Sequence, residues 1–298
     1  MDDNQRYSTE PVGPLKTVMA GIRTRLAPKY GDGEAREMTR IIFENLKGWT
    51  PVDLAIRQDE PISGFIAAKA DEAVARLLDD EPIQQIFGNA NFYGMKFKVT
   101  PDTLIPRPET AELVDIIVKD NQGRDLKVLD AGTGSGCIAI ALSRNLPFSD
   151  VTAIDVSDKA LAVAAENARN LHTSIDFENV DILTLPGKLA GSHFDIIVSN
   201  PPYITESEKG AMDRNVLDFE PATALFVPDD DPLKFYTPIL KAAAGDLLNP
   251  GGKIYFEINP HYASSIAKEA AALGFNEVNI VRDTDGKERF ISARKEND

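Results

Sequence analysis

Apolar positions in the first part of the chain recur at helical spacing. One set is Leu15, Val18, Met19, Ile22 and Leu26, a second is Met38, Ile41, Ile42 and Leu46, and a third is Ala70, Ala73, Val74, Leu77 and Leu78. The spacing predicts amphipathic helices, punctuated by Pro11, Pro28, Pro51, Pro61 and Pro82 and separated at Gly31-Asp32-Gly33, so residues 1–88 read as a small all-α domain. Its apolar stripes are core and carry no chemistry of their own. Over 89–104 the pattern becomes β-rich around Gly94 and then studded with prolines, which predicts a β-hairpin linker. Over 105–298 apolar runs alternate with helical stretches. Strands are expected at 127–131, 151–155, 175–180, 194–199 and 253–258, with helices at 137–145, 159–171, 233–248 and 262–273. Such alternation implies a doubly wound α/β sheet of parallel strands joined by right-handed crossovers, a Rossmann-like architecture. The last two strands, near 278–281 and 289–293, are too close for a helical crossover and should form an antiparallel hairpin at the sheet edge.

Charge narrows the function classes. The 298 residues hold 32 Lys plus Arg against 47 Asp plus Glu, a net charge of −15 that repels phosphate backbones and anionic lipid. Residues 1–100 hold 13 basic and 15 acidic side chains and residues 101–298 hold 19 and 32, so most of the excess lies in the α/β part. The single cysteine, Cys137, cannot form an internal disulfide, and the opening Met-Asp-Asp-Asn-Gln-Arg lacks the pattern of a secretory signal. No apolar run reaches the roughly 18 residues of a membrane-spanning helix. A cytoplasmic protein with no membrane partner is expected. His172, His193 and His261 show no metal-ligand spacing, so no metal is expected, and Asp229-Asp230-Asp231 reads as a solvated run.

Candidate chemistry begins after the first strand of the sheet, at Asp130-Ala131-Gly132-Thr133-Gly134-Ser135-Gly136, which opens a helix. Glycines there allow a tight turn and close approach of a ligand to the backbone, although they can also serve helix packing alone. Asp155 ends the next strand 19 positions after Gly136, where a carboxylate can accept two ribose hydroxyls or share a helix cap with Ser157. The spacing departs from the Gly-x-Gly-x-x-Gly loop that admits a pyrophosphate, so a ligand without phosphates fits better. The loop resembles the first motif of S-adenosylmethionine-dependent methyltransferases. That resemblance implies that Gly132, Thr133, Gly134, Ser135 and Gly136 hold the methionine end of the cofactor, that Asp155 holds the ribose, and that Asp181 and Ile182 flank the adenine.

The most specific segment is Asn200-Pro201-Pro202-Tyr203, directly after the strand at 194–199. An Asn side-chain oxygen and a backbone carbonyl at Pro201 can accept both protons of a planar NH2 group, Pro201 and Pro202 fix the turn, and the Tyr203 ring can stack on the plane. Asn200 would stand at the cofactor as well. The tetrapeptide resembles the fourth motif of methyltransferases that alkylate an exocyclic or amide nitrogen: adenine N6, guanine N2 or the glutamine side chain. A DNA or RNA base amino-nitrogen methyltransferase is therefore the alternative reading, and the negative charge of the α/β part disfavours it.

Three further segments resemble the bacterial peptide chain release factor N5-glutamine methyltransferases, the PrmC/HemK family. They are Glu81 to Gly88, then Phe92-Tyr93-Gly94 with Phe97 and Val99, and Leu104 to Thr110; Phe219 to Phe226, Gly251 to Ile258 and Asp285 to Arg289 agree. The resemblance implies methyl transfer to the glutamine of the Gly-Gly-Gln motif of release factors, with the helical domain recognising that protein substrate and no direct nucleic-acid partner. Arg107 and Thr110 would either border the cofactor or cap the following helix. Two departures are visible. Family members commonly carry Glu directly after Arg-Pro-Glu-Thr, where this chain has Ala111 and then Glu112, and Glu-Ile-Gly where it has Glu257-Ile258-Asn259.

Overall fold

A computed structural model describes residues 9–297, so the opening residues on which the secretory-signal reading rests lie outside the described part. The chain forms two compact units that divide between Gly88 and Asn89.

The first unit is helical: α1 (Leu15–Lys47), α2 (Pro51–Ile56), α3 (Gly64–Leu78) and α4 (Ile83–Phe87). Gly31, at φ 75°, breaks α1 where the sequence predicts a separation, because glycine adopts that conformation without a Cβ clash. Leu15, Ile22, Leu26, Ile42 and Phe43 of α1 bury against Val74 and Leu77 of α3. The unit also contains a short antiparallel ribbon, β1 (Pro11–Pro14) with β2 (Pro61–Ser63), which the helical periodicity does not announce. Thr50 and Asp53 cap α2 reciprocally, and the Ser63 hydroxyl accepts from the Ile66 amide to start α3.

The second unit opens with the hairpin β3 (Asn89–Phe92) and β4 (Met95–Lys98), whose turn residues Tyr93 and Gly94 both have positive φ, as a tight two-residue connection requires. After α5 (Pro108–Asp120) come β5 (Lys127–Ala131), α6 (Cys137–Asn145), β6 (Asp150–Asp155), α7 (Asp158–Asn170), β7 (Asp176–Asn179) and β8 (Phe194–Ser199). Then follow β9 (Ile204–Thr205), α8 (Arg214–Leu217), β10 (Phe226–Val227), α9 (Tyr236–Ala242), β11 (Leu248–Glu257), α10 (Ala263–Ala272), β12 (Phe275–Arg282) and β13 (Glu288–Lys295). The main sheet has the order β12-β13-β11-β8-β5-β6-β7, and β13 runs antiparallel to both neighbours, giving the doubly wound sheet and edge hairpin expected from the sequence. Leu113, Val114 and Ile117 of α5 and Ile138 and Leu142 of α6 cover one face, while Ile239 and Leu240 of α9 and Ile266 of α10 cover the other.

Two stretches differ from the sequence reading. The helix expected over 233–248 is shorter, because Gly245 leaves helical geometry and the chain enters β11 at Leu248. The loop between β8 and α9, given no regular structure from periodicity, holds α8 and the parallel pair β9 and β10. No helix among the described residues is long and apolar enough to cross a membrane, and no group of three or more potential metal ligands occurs among them.

Candidate functional site

Register brings the two motif loops to one edge. Val128 to Asp130 of β5 pair with Ile196 to Val198 of β8, so the strands end side by side. At that edge the Ser199 hydroxyl donates to the Ala131 carbonyl at 2.6 Å, tying the residue before Asn200 to the residue before Gly132. This is the carboxyl end of adjacent parallel strands, where open α/β sheets collect ligands.

Gly132, Gly134 and Gly136 have φ of 79°, 55° and 80°, a conformation other residues rarely adopt. Gly136 starts α6 against α7, and a Cβ there would sit 3.1 Å from the Ala164 Cβ. A Cβ on Gly134 would meet no protein atom within 4 Å. Beneath the loop, Asp130 is fully buried; its Oδ2 accepts from the Thr133 hydroxyl at 2.7 Å and the Ala139 amide at 3.1 Å. Burial pushes its carboxyl up to about 7, against the pull of those two bonds, and Asp130 Oδ1 and Ser135 Oγ are buried without hydrogen-bond partners. Asn167, a buried amide inside α7 that periodicity leaves unnoticed, donates to the Ser135 carbonyl at 2.9 Å and the Lys98 carbonyl at 3.0 Å. It clamps the loop to β4.

Asp155 accepts the Gly134 amide on Oδ2 and the Ser157 amide on Oδ1, both at 2.9 Å. Each oxygen keeps a second lone pair. Burial raises its carboxyl, and the two amides oppose that rise. The Ser157 hydroxyl itself caps α7, so the cap and the carboxylate belong to one turn. Asp181 receives the Leu183 amide at 2.9 Å and caps a short 3-10 turn over Ile182–Thr184, which places the buried Ile182 against Gly132.

A hydrogen-bonded chain supports the opposite rim. Asn200 Nδ2 donates to Thr110 Oγ1 at 3.3 Å, and that hydroxyl donates to Glu257 Oε2 at 2.7 Å. The Tyr203 hydroxyl donates to the other carboxylate oxygen at 3.1 Å, and the Tyr236 hydroxyl to the Glu257 backbone carbonyl at 3.0 Å. Glu257 is buried at the end of β11. Burial pushes its carboxyl up, opposed by the Thr110 and Tyr203 hydroxyls and the charge of Arg289. Burial likewise raises Tyr203, so it is protonated and can only help hold Glu257 as a donor. Arg107 forms an ion pair with the buried Glu220, whose other oxygen accepts the Ile105 amide at 3.0 Å, strapping the segment before α5 to the loop before β10.

These groups border two adjoining open spaces. The first, about 1000 Å³ including its open mouth, is lined by Gly132, Thr133, Gly134 and Ser135, by Asp155, Asp181 and Ile182, and by Arg107, Thr110, Asn200 and Pro202. The second, about 620 Å³ on the same measure, is lined by Asn200, Pro201, Tyr203, Arg107 and Glu257 together with apolar Ile204, Met212 and Val216. Asn200 borders both. Among the residues singled out from sequence, Gly136 alone lines neither space; it packs against α7 instead. Cys137 contributes a wall whose thiol burial pushes up to about 12.

Glu257, Glu220 and Asn167 were not singled out from the sequence as site residues. Glu257 does leave a signal, a lone carboxylate closing the apolar run Ile254-Tyr255-Phe256. The two family departures also find places. Glu112 accepts the Thr284 amide at 3.0 Å and its hydroxyl at 2.8 Å, holding the terminal hairpin turn. Asn259 donates to the Tyr203 carbonyl at 3.2 Å and to Glu208 Oε2 at 2.9 Å.

Known proteins resemble this chain along nearly its whole length. A methyltransferase domain family model matches residues 122–278, and a PrmC N-terminal domain model matches residues 18–88. The release factor glutamine methyltransferase of Bacteroides thetaiotaomicron is 43% identical over 281 residues, spanning 94% of this chain and 100% of its own. That of Flavobacterium psychrophilum is 41% identical over 272 residues, 90% of this chain and 94% of its own. A solved methyltransferase from Pyrococcus furiosus shares the fold at a TM-score of 0.50 and 20% identity, over 76% of this chain and 99% of that one. With such identity along nearly its whole length, the chain belongs to the release factor glutamine methyltransferase family.

Proposed function

We propose that this protein transfers a methyl group from S-adenosyl-L-methionine to the side-chain amide nitrogen, N5, of the Gly-Gly-Gln glutamine of peptide chain release factors. The observation that carries the reading is the meeting of two spaces at Asn200, one floored by the glycine loop and the other bordered by the Pro-Pro-Tyr turn.

The first space suits the cofactor on its own chemistry. Gly134 leaves room that a side chain would fill, and the hydroxyl of Ser135, a lining residue, has no protein partner. Gly132, Thr133, Gly134 and Ser135 would hold the methionine end, and Gly136 shapes the loop from behind. Asp155, already fixed by two amides, would accept ribose hydroxyls, while Asp181 and the aliphatic Ile182 would flank the adenine. Arg107 and Thr110 border the space. Bound there, S-adenosylmethionine supplies an electrophilic methyl group on sulfonium sulfur.

The second space would take the glutamine. An amide nitrogen is a poor nucleophile because its lone pair is delocalised into the carbonyl. Asn200 Oδ1 and the Pro201 carbonyl would accept its two N–H groups and so favour positive charge developing on nitrogen, with Tyr203 against the amide plane. No strong base is needed, since the methylated nitrogen becomes acidic and can release its proton to water. The helical unit at 1–88 would recognise the release factor, and the hairpin at 89–104 would link it to the transferase unit at 105–298. The site of action would be the cytoplasm, where release factors work.

The test is a purified-enzyme assay with methyl-labelled cofactor and a release factor, followed by peptide mapping. Label on the Gly-Gly-Gln glutamine is expected. Label elsewhere, or none with a competent release factor, overturns the proposal.

A further inference from the structure

An asparagine amide can present either its oxygen or its NH2 group to a substrate, and only one of the two accepts a hydrogen bond. Asn200 can act on a substrate NH2 group only if something in the protein fixes that choice. Its Nδ2 lies 3.3 Å from Thr110 Oγ1, and its Oδ1 has no hydrogen-bond partner among the described residues. Thr110 is buried in the first turn of α5, so its hydroxyl has one proton to give. That proton goes to Glu257 Oε2 at 2.7 Å. The Thr110 and Tyr203 hydroxyls and the charge of Arg289 favour the ionised Glu257 against its burial, and an ionised carboxylate accepts and cannot donate. The Thr110 oxygen is then left to accept, and among the described residues the group placed to donate to it is the Asn200 NH2. The carboxylate thereby dictates the orientation of an amide that it does not touch.

We propose that Glu257 is a positioning residue which, acting through Thr110, turns the Asn200 oxygen toward the substrate. The same carboxylate receives the Tyr203 hydroxyl on its other oxygen at 3.1 Å, so one buried group aims both ends of the Asn-Pro-Pro-Tyr turn. Tyr236, donating to the Glu257 carbonyl at 3.0 Å, holds the strand end from which it acts. The inference rests on the reading of Asn200 as the acceptor for the glutamine amide.

Reversing the polarity tests it. Asn200→Asp places an acceptor-only carboxylate against Thr110, whose proton is already committed to Glu257, and kcat should fall at least about tenfold. Adding Glu257→Gln supplies an NH2 donor on the far side, so that Thr110 can accept from it and donate toward position 200. The double variant should then recover at least about fivefold over Asn200→Asp alone. Adding Thr110→Val as a third change should abolish that recovery, whereas simple relief of charge repulsion would survive it. In the single-variant series, Thr110→Val should lower kcat at least about tenfold with cofactor Kd within about threefold of the parent, and Thr110→Ser should restore most of the loss. A double variant no faster than Asn200→Asp, recovery that persists without the threonine hydroxyl, or equal losses for the valine and serine variants would each overturn the relay. Cofactor affinity and thermal midpoint, measured on every variant, separate misfolding from misorientation. The parent reading fails separately, if the unaltered enzyme puts no methyl group on the glutamine.

Discussion

The glycine loop takes its shape mainly from backbone, with three glycines at positive φ and the amides of Gly134 and Ala139 given to Asp155 and Asp130, and Asn167 adds one side-chain clamp at the Ser135 carbonyl. The Asn200 to Tyr203 turn at the opposite rim keeps its shape with side chains gathered from distant positions, Thr110 on α5 and Glu257 on β11. A backbone cradle suits a ligand recognised by close approach along its length. A side-chain relay suits the presentation of one acceptor with a fixed direction. The difference teaches that damage to the two rims should be separable, the first appearing as lost cofactor affinity and the second as lost turnover.

The largest separation is expected at Asn200. Asn200→Ala should cost at least roughly 100-fold in kcat, because one preorganised acceptor is lost, while calorimetry should find cofactor affinity mostly intact. Activity within a factor of two of the parent would erase the distinction between the rims. Next come two glycines of the cradle itself. Gly134→Ala adds a methyl group that meets no protein atom and projects into the cleft, so cofactor Kd should rise about tenfold or more, with a folding cost of about 1 kcal/mol from the left-handed backbone. Gly136→Ala meets Ala164 instead and should lower the thermal midpoint more than Gly134→Ala does, by roughly 2–4 °C for each 1 kcal/mol lost. Equal effects of the two substitutions on affinity and midpoint would show that the loop responds as one unit.

Asp130 sharpens the comparison through pH. Its carboxyl is raised to about 7 by burial, whereas an unfolded aspartate ionises near the ordinary value of about 3.9. The folded state therefore favours the protonated acid. Its contribution is fully favourable below the unfolded value, is lost as pH rises through about 7, and levels off above that. Asp130→Asn removes this titration while keeping an oxygen for Thr133 and Ala139. Its midpoint relative to the parent should therefore climb between about pH 4 and pH 7, by several degrees. A constant difference across that range would mean that the buried carboxylate is ionised in the fold without penalty.

Legibility in the sequence follows the same division. The cradle can be read because positive φ demands glycine and because β5, α6 and β6 are contiguous, so the helix at 137–145 and the strand at 194–199 appear where periodicity puts them. Asp155 is visible because its strand ends a fixed distance from the loop. The relay is hidden because Thr110 and Glu257 stand 147 positions apart and meet only through the sheet order that sets β11 beside β8. Asn167 is hidden for another reason: an amide on a helix normally faces solvent, and only the packing of β4 reveals that this one is buried. Periodicity also has little to say of the stretch between β8 and α9, whose shape depends on ties such as Arg107 to Glu220. The residues alone specify a planar NH2 group, and the family resemblance adds the glutamine.

The smallest effect is expected at Asn259, which stands where relatives commonly carry glycine. Its amide joins the Tyr203 carbonyl to Glu208, yet Glu208 also accepts the Thr205 amide at 2.8 Å and the Thr205 hydroxyl at 2.7 Å. Burial tends to raise Glu208, and these bonds outweigh it and hold the carboxyl below its ordinary value. Glu208 would keep its two Thr205 bonds in Asn259→Gly, while the Tyr203 carbonyl loses a donor and the His261 amide loses the Asn259 oxygen that accepts it at 3.1 Å. A cost of about 1–2 kcal/mol in stability follows, with kcat within about threefold because the direction of Asn200 is set through Thr110 and not through these bonds. Kinetics and a thermal melt on the one variant check both parts. A tenfold loss of kcat at unchanged cofactor affinity would move part of the turn's support from Glu257 to the strand end beyond it, and the rim would then rest on two side-chain anchors.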